Sequence, residues 1–334
     1  MNTKIPTVTV LMAAYNSERY ISQAIQSILD QSYTDFELLI IDDGSTDGTL
    51  EKIKIYKDNR IRILQNESNN GVVYTRNRTL LEANGEFIAI MDSDDMATID
   101  RLETLLNKFY ENPELALIGS NAKVIDTNGD LTGHQIKVET NPELLKYRLF
   151  FGNSFAHSSV MMRTEVFREF NGYRVPLAED YDLFFRISTK YPVLNLDRAL
   201  LLYREHLQGI SKKYAAELEN QLMPIKGNTL ELLGFPTDTK YQKMLTSPFD
   251  WPSIKTEDYR DFYIQLFNRI TPTDRQRSLD VQKFIFERWY DVIMKNGGRN
   301  TLSLFFTKPF FEWKYITAKQ LRRALKNTIK NLFK

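Results

Sequence analysis

Three aspartates lie within four residues of each other, directly after a hydrophobic segment of the sequence. The segment runs from Phe87 to Met91 and is followed by Asp92, Ser93, Asp94 and Asp95. Five consecutive apolar residues predict a strand that is buried on both faces. Three carboxylates so close together repel one another, and a cation between them would relieve that repulsion. Because ligands of open α/β sheets bind at the carboxyl ends of the strands, a metal ion and a phosphorylated ligand are expected here.

A second pair of carboxylates follows another predicted strand. Asp42 and Asp43 end the apolar segment Phe36–Ile41 and precede Gly44. Neighbouring strand ends converge on one crevice in a doubly wound sheet, so both segments are expected to contribute to one site. One carboxylate can accept hydrogen bonds from a base or a ribose, and another can bind a divalent cation that holds a diphosphate. Neither a P-loop nor a GxGxxG motif follows a strand, so the negative charge of the phosphate groups must be neutralised by the cation.

The elements that must position these residues alternate between strand and helix up to about Ser211. This alternation predicts an α/β fold, with a mostly parallel central sheet and helices on both faces. Ser17 is the expected N-cap of the first helix, and Thr46 or Asp47 is that of a second helix through Tyr56. A hairpin-like turn is expected at residues 126–130. The other predicted strands are Val8–Met12, Ile61–Leu64, Leu115–Gly119 and Leu194–Leu202, and the other helical segments are Ile21–Leu29, Val72–Ala83, Ile99–Tyr110 and Glu179–Ile187.

The remaining chain, residues 212–334, carries amphipathic helical patterns and is expected to form a helical C-terminal region. Its last part, residues 314–334, holds seven Lys and Arg residues and no acidic residue. This pattern predicts a basic amphipathic helix that lies on an anionic membrane surface. The alternatives are a solvated helix docked on its own domain or on a second subunit, and a basic arm for nucleic acid. The apolar residues that recur there at spacings of three to four are Leu321, Leu325, Ile329, Leu332 and Phe333.

The composition narrows the classes of protein to which the chain can belong. The net charge of +1 gives no indication of a nucleic-acid partner. The absence of cysteine excludes disulfides, zinc–thiolate sites and thiol nucleophiles. The N-terminal residues lack the core of a signal peptide, and no apolar run approaches the ~18 residues of a spanning helix. The expected location is the cytoplasm, with peripheral attachment to the inner face of the membrane.

Five motifs occur together and in order in the first two thirds of the chain. They are residues 8–16 (VTVLMAAYN), 40–47 (IIDDGSTD), 70–77 (Asn-Gly with Arg-Asn), 92–94 (DSD) and 179–183 (EDYDL). Through these motifs, residues 7–211 resemble a family 2 glycosyltransferase of the GT-A fold. The Ala13-Ala14 pair departs from the Pro-Thr pair that the family often has before the tyrosine. The resemblance does not extend to the C-terminal third.

The resemblance implies roles for individual residues. Asp180 would be the general base, Glu179 would hold the acceptor sugar, and His157 would line the acceptor pocket or support it. Asp94 would ligate Mn²⁺ or Mg²⁺ with His206 as a second ligand, and a nitrogen ligand favours Mn²⁺. The nucleotide would be bound by Ala13, Tyr15, Glu18, Asp43, Arg76, Asp92 and Ser93.

Three of the nucleotide-binding residues have more specific implied roles. Asp43 would accept a hydrogen bond from the base, as expected for a uracil N–H group. Arg76 would lie beside the base or the diphosphate, and Asp92 would meet the ribose. Each motif also has a purely structural interpretation. Residues 92–95 could be an acidic turn that caps the next helix, which suits Asp95 best. Asp182 could be a first-turn acid that faces away from the site, and Arg76 could be a surface arginine.

The implied activity is inverting, metal-dependent transfer of a hexosyl or N-acetylhexosaminyl group from a nucleotide-sugar, expected to be a UDP-sugar, to a glycan hydroxyl. A positioned base that deprotonates this hydroxyl typically contributes ~10²–10⁴-fold in rate. A lipid-linked or polysaccharide acceptor, as in the assembly of surface glycans, fits a cytoplasmic enzyme with a basic tail. The alternatives are a nucleotidyltransferase and a non-catalytic module that binds sugar nucleotides or glycans.

Overall fold

A computed structural model describes residues 5–206, 215–246, 254–270 and 275–333 of the chain. The chain divides into two compact units, residues 1–221 and 222–334. The boundary predicted near residue 211 lies outside the described residues.

The N-terminal unit is built around one large sheet. Its strands are β1 (Val8–Ala14), β2 (Phe36–Asp42), β3 (Ile61–Gln65), β4 (Phe87–Ile90), β5 (Met96–Ala97), β6 (Leu117–Ile125), β7 (Leu131–Ile136), β8 (Met161–Arg163) and β9 (Val193–Arg204). Their order across the sheet is β3-β2-β1-β4-β8-β6-β9-β5, and β7 pairs with β6 outside this series. The helices of this unit are α1 (Ile21–Leu29), α2 (Thr49–Ile55), α3 (Val72–Asn77), α4 (Thr79–Glu82), α5 (Arg101–Glu111), α6 (Pro142–Phe151), α7 (Thr164–Glu169) and α8 (Glu179–Ser188).

The sheet has a parallel half and a mixed half. Strands β3, β2, β1 and β4 are parallel to their neighbours, and β1, β2 and β4 are almost completely buried, as their apolar sequences require. Strand β8 runs antiparallel to both β4 and β6, whereas β9 is parallel to β6. The predicted α/β fold with a mostly parallel sheet is therefore confirmed, although β5, β7 and β8 were not predicted as strands. The 3₁₀ turn His157–Ser159 leads directly into β8.

Two predicted caps differ from the structure, and one predicted turn is confirmed. Helix α1 begins at Ile21, and the Ser17 hydroxyl lies 2.6 Å from the Ser93 hydroxyl, so Ser17 is not the N-cap. Asp95 does not cap a helix either, because it is buried and accepts a hydrogen bond from the Arg204 backbone. The turn at residues 126–130 joins β6 and β7, and the Asp126 carboxylate accepts three backbone hydrogen bonds within it.

The regular elements of the C-terminal unit are all helices within its described residues, as predicted. Its aromatic core includes Trp289, Phe305 and Phe310, whereas Phe306 and Trp313 are exposed. None of the described helices combines the length and hydrophobicity that a bilayer-spanning helix requires. The α-helices after residue 206 are α9 (Ala215–Leu232), α10 (Thr239–Thr246), α11 (Thr256–Ile270), α12 (Arg275–Asn296), α13 (Thr301–Phe305) and α14 (Ala318–Leu332).

Candidate active site

Asp92 lies just beyond the carboxyl end of β4, where its carboxylate is held by three donors. Its Oδ1 atom accepts a hydrogen bond from Arg76 Nη2 at 2.6 Å. Its Oδ2 atom accepts one from the Ser158 hydroxyl at 2.6 Å and lies 3.1 Å from His157 Nδ1. Burial favours the neutral acid, but the interactions with His157 and Arg76 outweigh burial and hold the pKa of Asp92 well below its usual range. Asp92 is therefore a fixed, ionised acceptor of hydrogen bonds.

Arg76 connects Asp92 to the beginning of helix α8. Its Nη1 atom donates to Glu179 Oε1 at 2.6 Å, so one guanidinium group bridges two carboxylates. Arg76 and Glu179 are both buried. Burial opposes the charged form of Arg76, but Asp92 and Glu179 together raise its pKa above the ordinary value. The interpretation of Arg76 as a surface arginine is therefore wrong, because only 8% of its surface is exposed to solvent.

Asp180, the predicted base, follows Glu179 in the first turn of α8. The Asn153 side-chain amide donates to its Oδ2 atom at 2.7 Å, and the Tyr181 backbone N–H donates to Oδ1 at 2.7 Å. Burial raises the pKa of Asp180, and the nearby negative charge of Glu179 raises it further. Asp182 instead pairs with Arg186 on the same helix, which fits the expectation that it faces away from the site.

Asp94 and His206 form a pair that suits a divalent cation. His206 Nε2 lies 2.9 Å from Asp94 Oδ2. Two donor atoms at adjacent positions around an octahedral ion, with bonds of ~2.0–2.1 Å, are ~3 Å apart. The described residues contain no cluster of three or more His, Cys, Asp or Glu side chains that could hold a metal ion. A cation held by these two residues would therefore depend on other oxygen atoms, such as those of a diphosphate.

Arg204 fixes the segment that carries Asp94. Its Nε atom donates to the Asp94 carbonyl at 2.7 Å, and its backbone N–H donates to the Asp95 carboxylate at 2.8 Å. The guanidinium also lies 4.7 Å from the centre of the Tyr20 ring. These contacts join the end of β9 to the loop after β4, which brings His206 next to Asp94.

Asp43 organises a separate loop at the end of β2. Its carboxylate accepts hydrogen bonds from the Asn66 side chain and from the backbone N–H groups of Asn70 and Gly71, at 2.6, 3.0 and 2.9 Å. Gly71 has a φ of +88°, which favours glycine at this position. An ionised carboxylate offers about four acceptor positions, so one remains for a ligand N–H group. The role predicted for Asp43 in binding a base remains a prediction.

The other residues of the predicted nucleotide site lie near the ends of β1 and β4. Tyr15 follows β1 and is 45% exposed, Ala13 lies within that strand, and Ser93 is paired with Ser17 as described above. Glu18 is directed to helix α2, where it accepts a hydrogen bond from Gly48 N–H at 3.2 Å. The structure thus brings Asp92, Arg76, Glu179 and His157 into one network, but it places Asp43 and Glu18 in other local contacts.

The sequence reasoning missed three residues that support this network. Ser158 bonds Asp92, Asn153 bonds Asp180, and the Tyr173 hydroxyl lies 3.2 Å from His157 Nε2. Only Ser158 had a usable signal, because it adjoins His157 in a stretch of small and polar residues. Tyr173 lies in a loop whose sequence has no recognisable motif.

Comparison with known proteins identifies the family of the chain. The model of the family "Glycosyl transferase family 2" matches residues 9–170. The O-antigen biosynthesis glycosyltransferase WbnJ of Escherichia coli is 33% identical over 219 residues, which are 64% of this chain and 85% of that protein. The chain belongs to glycosyltransferase family 2. A second E. coli relative, the UDP-Glc:alpha-D-GlcNAc-diphosphoundecaprenol beta-1,3-glucosyltransferase WfgD, is 31% identical over 64% of this chain and 83% of its own length.

Solved structures show the fold of this family 2 glycosyltransferase to be GT-A. TarS of S. aureus, solved in complex with UDP-GlcNAc, matches 96% of this chain and 89% of that chain with a TM-score of 0.57 and 18% identity. The mannosyltransferase PcManGT of Pyrobaculum calidifontis, solved with GDP-Man and Mn²⁺, matches 99% of this chain and 88% of that chain with a TM-score of 0.51 and 15% identity. The family match ends before Asp180 and His206, so the roles of these two residues remain predictions.

Proposed function

We propose that this glycosyltransferase transfers a sugar from a UDP-sugar to a hydroxyl group of a glycan acceptor, with inversion at the anomeric carbon and with a divalent cation. The observation that carries the proposal is the Arg76 bridge, with 2.6 Å contacts to Asp92 and to Glu179. Asp92 follows the strand where a nucleotide is expected, and Glu179 adjoins the proposed base. The bridge therefore fixes a donor-binding carboxylate next to an acceptor-binding helix.

On the donor side, the proposed contacts use the polar groups at the ends of β1, β2 and β4. Asp43 accepts a hydrogen bond from the base, Tyr15 lies against the nucleotide, and Asp92 accepts from the ribose. The 45% exposure of Tyr15 leaves its ring available for such a contact. A bound Mn²⁺ or Mg²⁺ ion would neutralise the charge of the diphosphate and improve it as a leaving group. Asp94 and His206 would hold that ion.

On the acceptor side, Asp180 removes the proton from the attacking hydroxyl. Burial makes this carboxylate more basic than an exposed aspartate, which suits a general base. Asn153 fixes the orientation of Oδ2, and Glu179 holds the acceptor sugar while it remains paired with Arg76. Attack from the side opposite the nucleotide inverts the anomeric carbon and requires no covalent intermediate on the protein.

We further propose that the acceptor is a lipid-linked saccharide or a surface polysaccharide. The names of WbnJ and WfgD, which refer to O-antigen biosynthesis and to a diphosphoundecaprenol-linked sugar, support this class of acceptor. Helix α14 supports it independently, because its side chains Leu325, Ile329 and Leu332 are exposed beside a basic face. Such a helix can lie on the anionic inner face of a membrane.

The test compares the wild type with Asp180→Asn in two assays. Binding of UDP-sugars is measured by thermal shift with Mn²⁺ and with excess EDTA, because a ligand that binds the folded state stabilises it. Transfer is measured with the same donors and a saccharide acceptor. We expect Asp180→Asn to retain donor binding and to lose transfer, and we expect EDTA to stop transfer by the wild type.

A matched control is Asp182→Asn on the same helix, because Asp182 pairs with Arg186 outside the site. This variant should retain transfer. Full transfer by Asp180→Asn would refute the assignment of the base, and undiminished transfer in EDTA would refute the role of the metal.

A further inference from the structure

Helices α12 and α14 of the C-terminal unit line a surface cavity of about 700 Å³ that is largely open to solvent. Its lining includes Lys295 from α12 and Arg323, Lys326 and Lys330 from α14. Asp291 is the one carboxylate in the lining. Four cationic side chains against one acid give the cavity a surplus of positive charge at neutral pH.

The three basic residues of α14 are arranged for a shared ligand. Arg323, Lys326 and Lys330 are separated by three and four residues, so they lie on one face of the helix. All three are exposed, and none forms an ion pair with a residue that the structure describes. Arg323 also lies near Tyr290, and its charge opposes the rise in the pKa of Tyr290 that burial causes. The charge of this face is therefore available to an anion.

A face of α14 that adjoins its basic residues is fixed to the rest of the C-terminal unit. Ala324 is fully buried, and the Asn327 side chain donates to the Met294 carbonyl at 3.0 Å. The Thr328 hydroxyl accepts a hydrogen bond from Leu302 N–H at 2.8 Å. Because these contacts set the rotation of the helix, the basic face and the exposed apolar residues keep defined positions.

The apolar residues of α14 adjoin its basic face. Leu325, Ile329 and Leu332 are 45%, 47% and 59% exposed, and they form a stripe along the helix between its buried face and its basic face. In an amphipathic helix on a membrane, such a stripe enters the boundary of the acyl chains while cationic side chains remain at the level of the headgroups. The cavity would then open at the depth of the lipid phosphates.

We propose that the cavity between α12 and α14 binds the phosphate group of an anionic membrane lipid. Arg provides a planar fork of donors for phosphate oxygens, and Lys provides a mobile point charge. This site deepens the proposed attachment of α14 to the membrane and rests on it. With this site, α14 would bind an individual lipid headgroup in a defined pocket, in addition to being attracted to the negative charge of the membrane surface.

The test compares two triple variants of the full chain that remove the same charge. The cavity variant carries Arg323→Gln, Lys326→Gln and Lys330→Gln. The control variant carries Lys314→Gln, Lys319→Gln and Arg322→Gln, which belong to the same tail but do not line the cavity. Binding to vesicles of phosphatidylcholine, with and without phosphatidylglycerol, is measured by co-sedimentation. We expect the cavity variant to lose ~10-fold or more of its partition onto the anionic vesicles, and the control variant to lose clearly less.

A third variant, Leu325→Ser with Ile329→Ser, distinguishes a lipid from a soluble phosphate. It should lose binding to vesicles but keep the thermal stabilisation that inorganic phosphate in excess EDTA gives to the wild type, whereas the cavity variant should lose that stabilisation. Equal losses by the two triple variants would overturn the pocket, since only total charge would then matter. Unchanged vesicle binding by the serine variant would overturn a lipid source for the phosphate. Transfer to a soluble acceptor should persist in all variants, so a failure here differs from a failure of the proposed reaction.

Discussion

Replacement of Arg76 by methionine tests the bridge on which the site is built. The substitution keeps an unbranched side chain of about the length of the arginine stem but removes the guanidinium and both of its 2.6 Å contacts. Glu179 would then lose its partner while its side chain is only 11% exposed. Asp92 would be affected less, because it is 30% exposed and keeps the contacts to Ser158 and His157.

The expected size of the effect follows from this difference in burial. Removal of one partner from a buried ion pair costs ~3–5 kcal/mol. Because water and two other donors compensate Asp92, we expect the lower end, a loss of ~3 kcal/mol in the free energy of unfolding of the N-terminal unit. The control is Arg198→Met, which removes the more exposed pair with Asp100 and should cost ~0.2–1 kcal/mol.

The assay must report on each unit of the chain, since a protein with two units need not unfold in one step. Hydrogen exchange in urea, followed for peptides from α3 and α8, reports the stability of the Arg76 bridge. All three tryptophans lie in residues 222–334, so their fluorescence reports the C-terminal unit separately. The double variant Arg76→Met with Glu179→Gln should be less destabilised than the sum of the single variants, because it leaves no buried charge at Glu179. Additive losses, or a loss below ~1 kcal/mol for Arg76→Met, would refute the bridge.

Two further predictions concern Asp180 and the packing beneath the site. A raised pKa means that the folded state disfavours the ionised form of Asp180, so Asp180→Asn should raise the urea midpoint at pH 7. This gain in stability should disappear as the pH falls below the ordinary value of 3.8. A gain that does not depend on pH would contradict this cause. A Cβ atom at Gly85 would lie 2.4 Å from Thr9 N and 2.7 Å from the Val8 carbonyl carbon, so Gly85→Ala should destabilise the protein by ~1–3 kcal/mol. The control Gly152→Ala has open space around it and should not destabilise the protein. Equal urea midpoints for these two variants would show that the backbone of β1 moves to accommodate the added methyl group.

The elements that could be predicted from the sequence are those whose burial is indicated by a local pattern of apolar residues. Strands β1, β2 and β4 have mainly apolar sequences, and they form where they were expected. Strand β8 has only three residues, Met-Met-Arg, and β5 has two, so neither shows a periodicity. Their places in the sheet are set by pairing with β4 and β9, which are distant partners. Strand β6 continues to Ile125 for the same reason, because it pairs along its length with β9.

The site divides in the same way. Asp92, Asp94 and Asp180 were predicted as site residues from their positions after a strand and at the start of a helix, together with the family resemblance. The partners of Arg76 were not foreseen, since Asp92 and Glu179 lie 16 and 103 residues away in the sequence. No local pattern can encode a contact across 103 residues, and only the path of the chain through the sheet brings these groups together.

The contacts of Asp92 and Asp180 explain why one carboxylate suits binding and the other suits proton transfer. Both oxygens of Asp92 are occupied, and three donors from Arg76, Ser158 and His157 stabilise its negative charge. A carboxylate held in this way is a weak base. Asp180 receives one hydrogen bond from Asn153 and one from the backbone, and burial raises its pKa. Because the Arg76 bridge pairs with Asp92 and Glu179 and forms no ion pair with Asp180, the raised pKa of Asp180 leaves it suited to accept a proton.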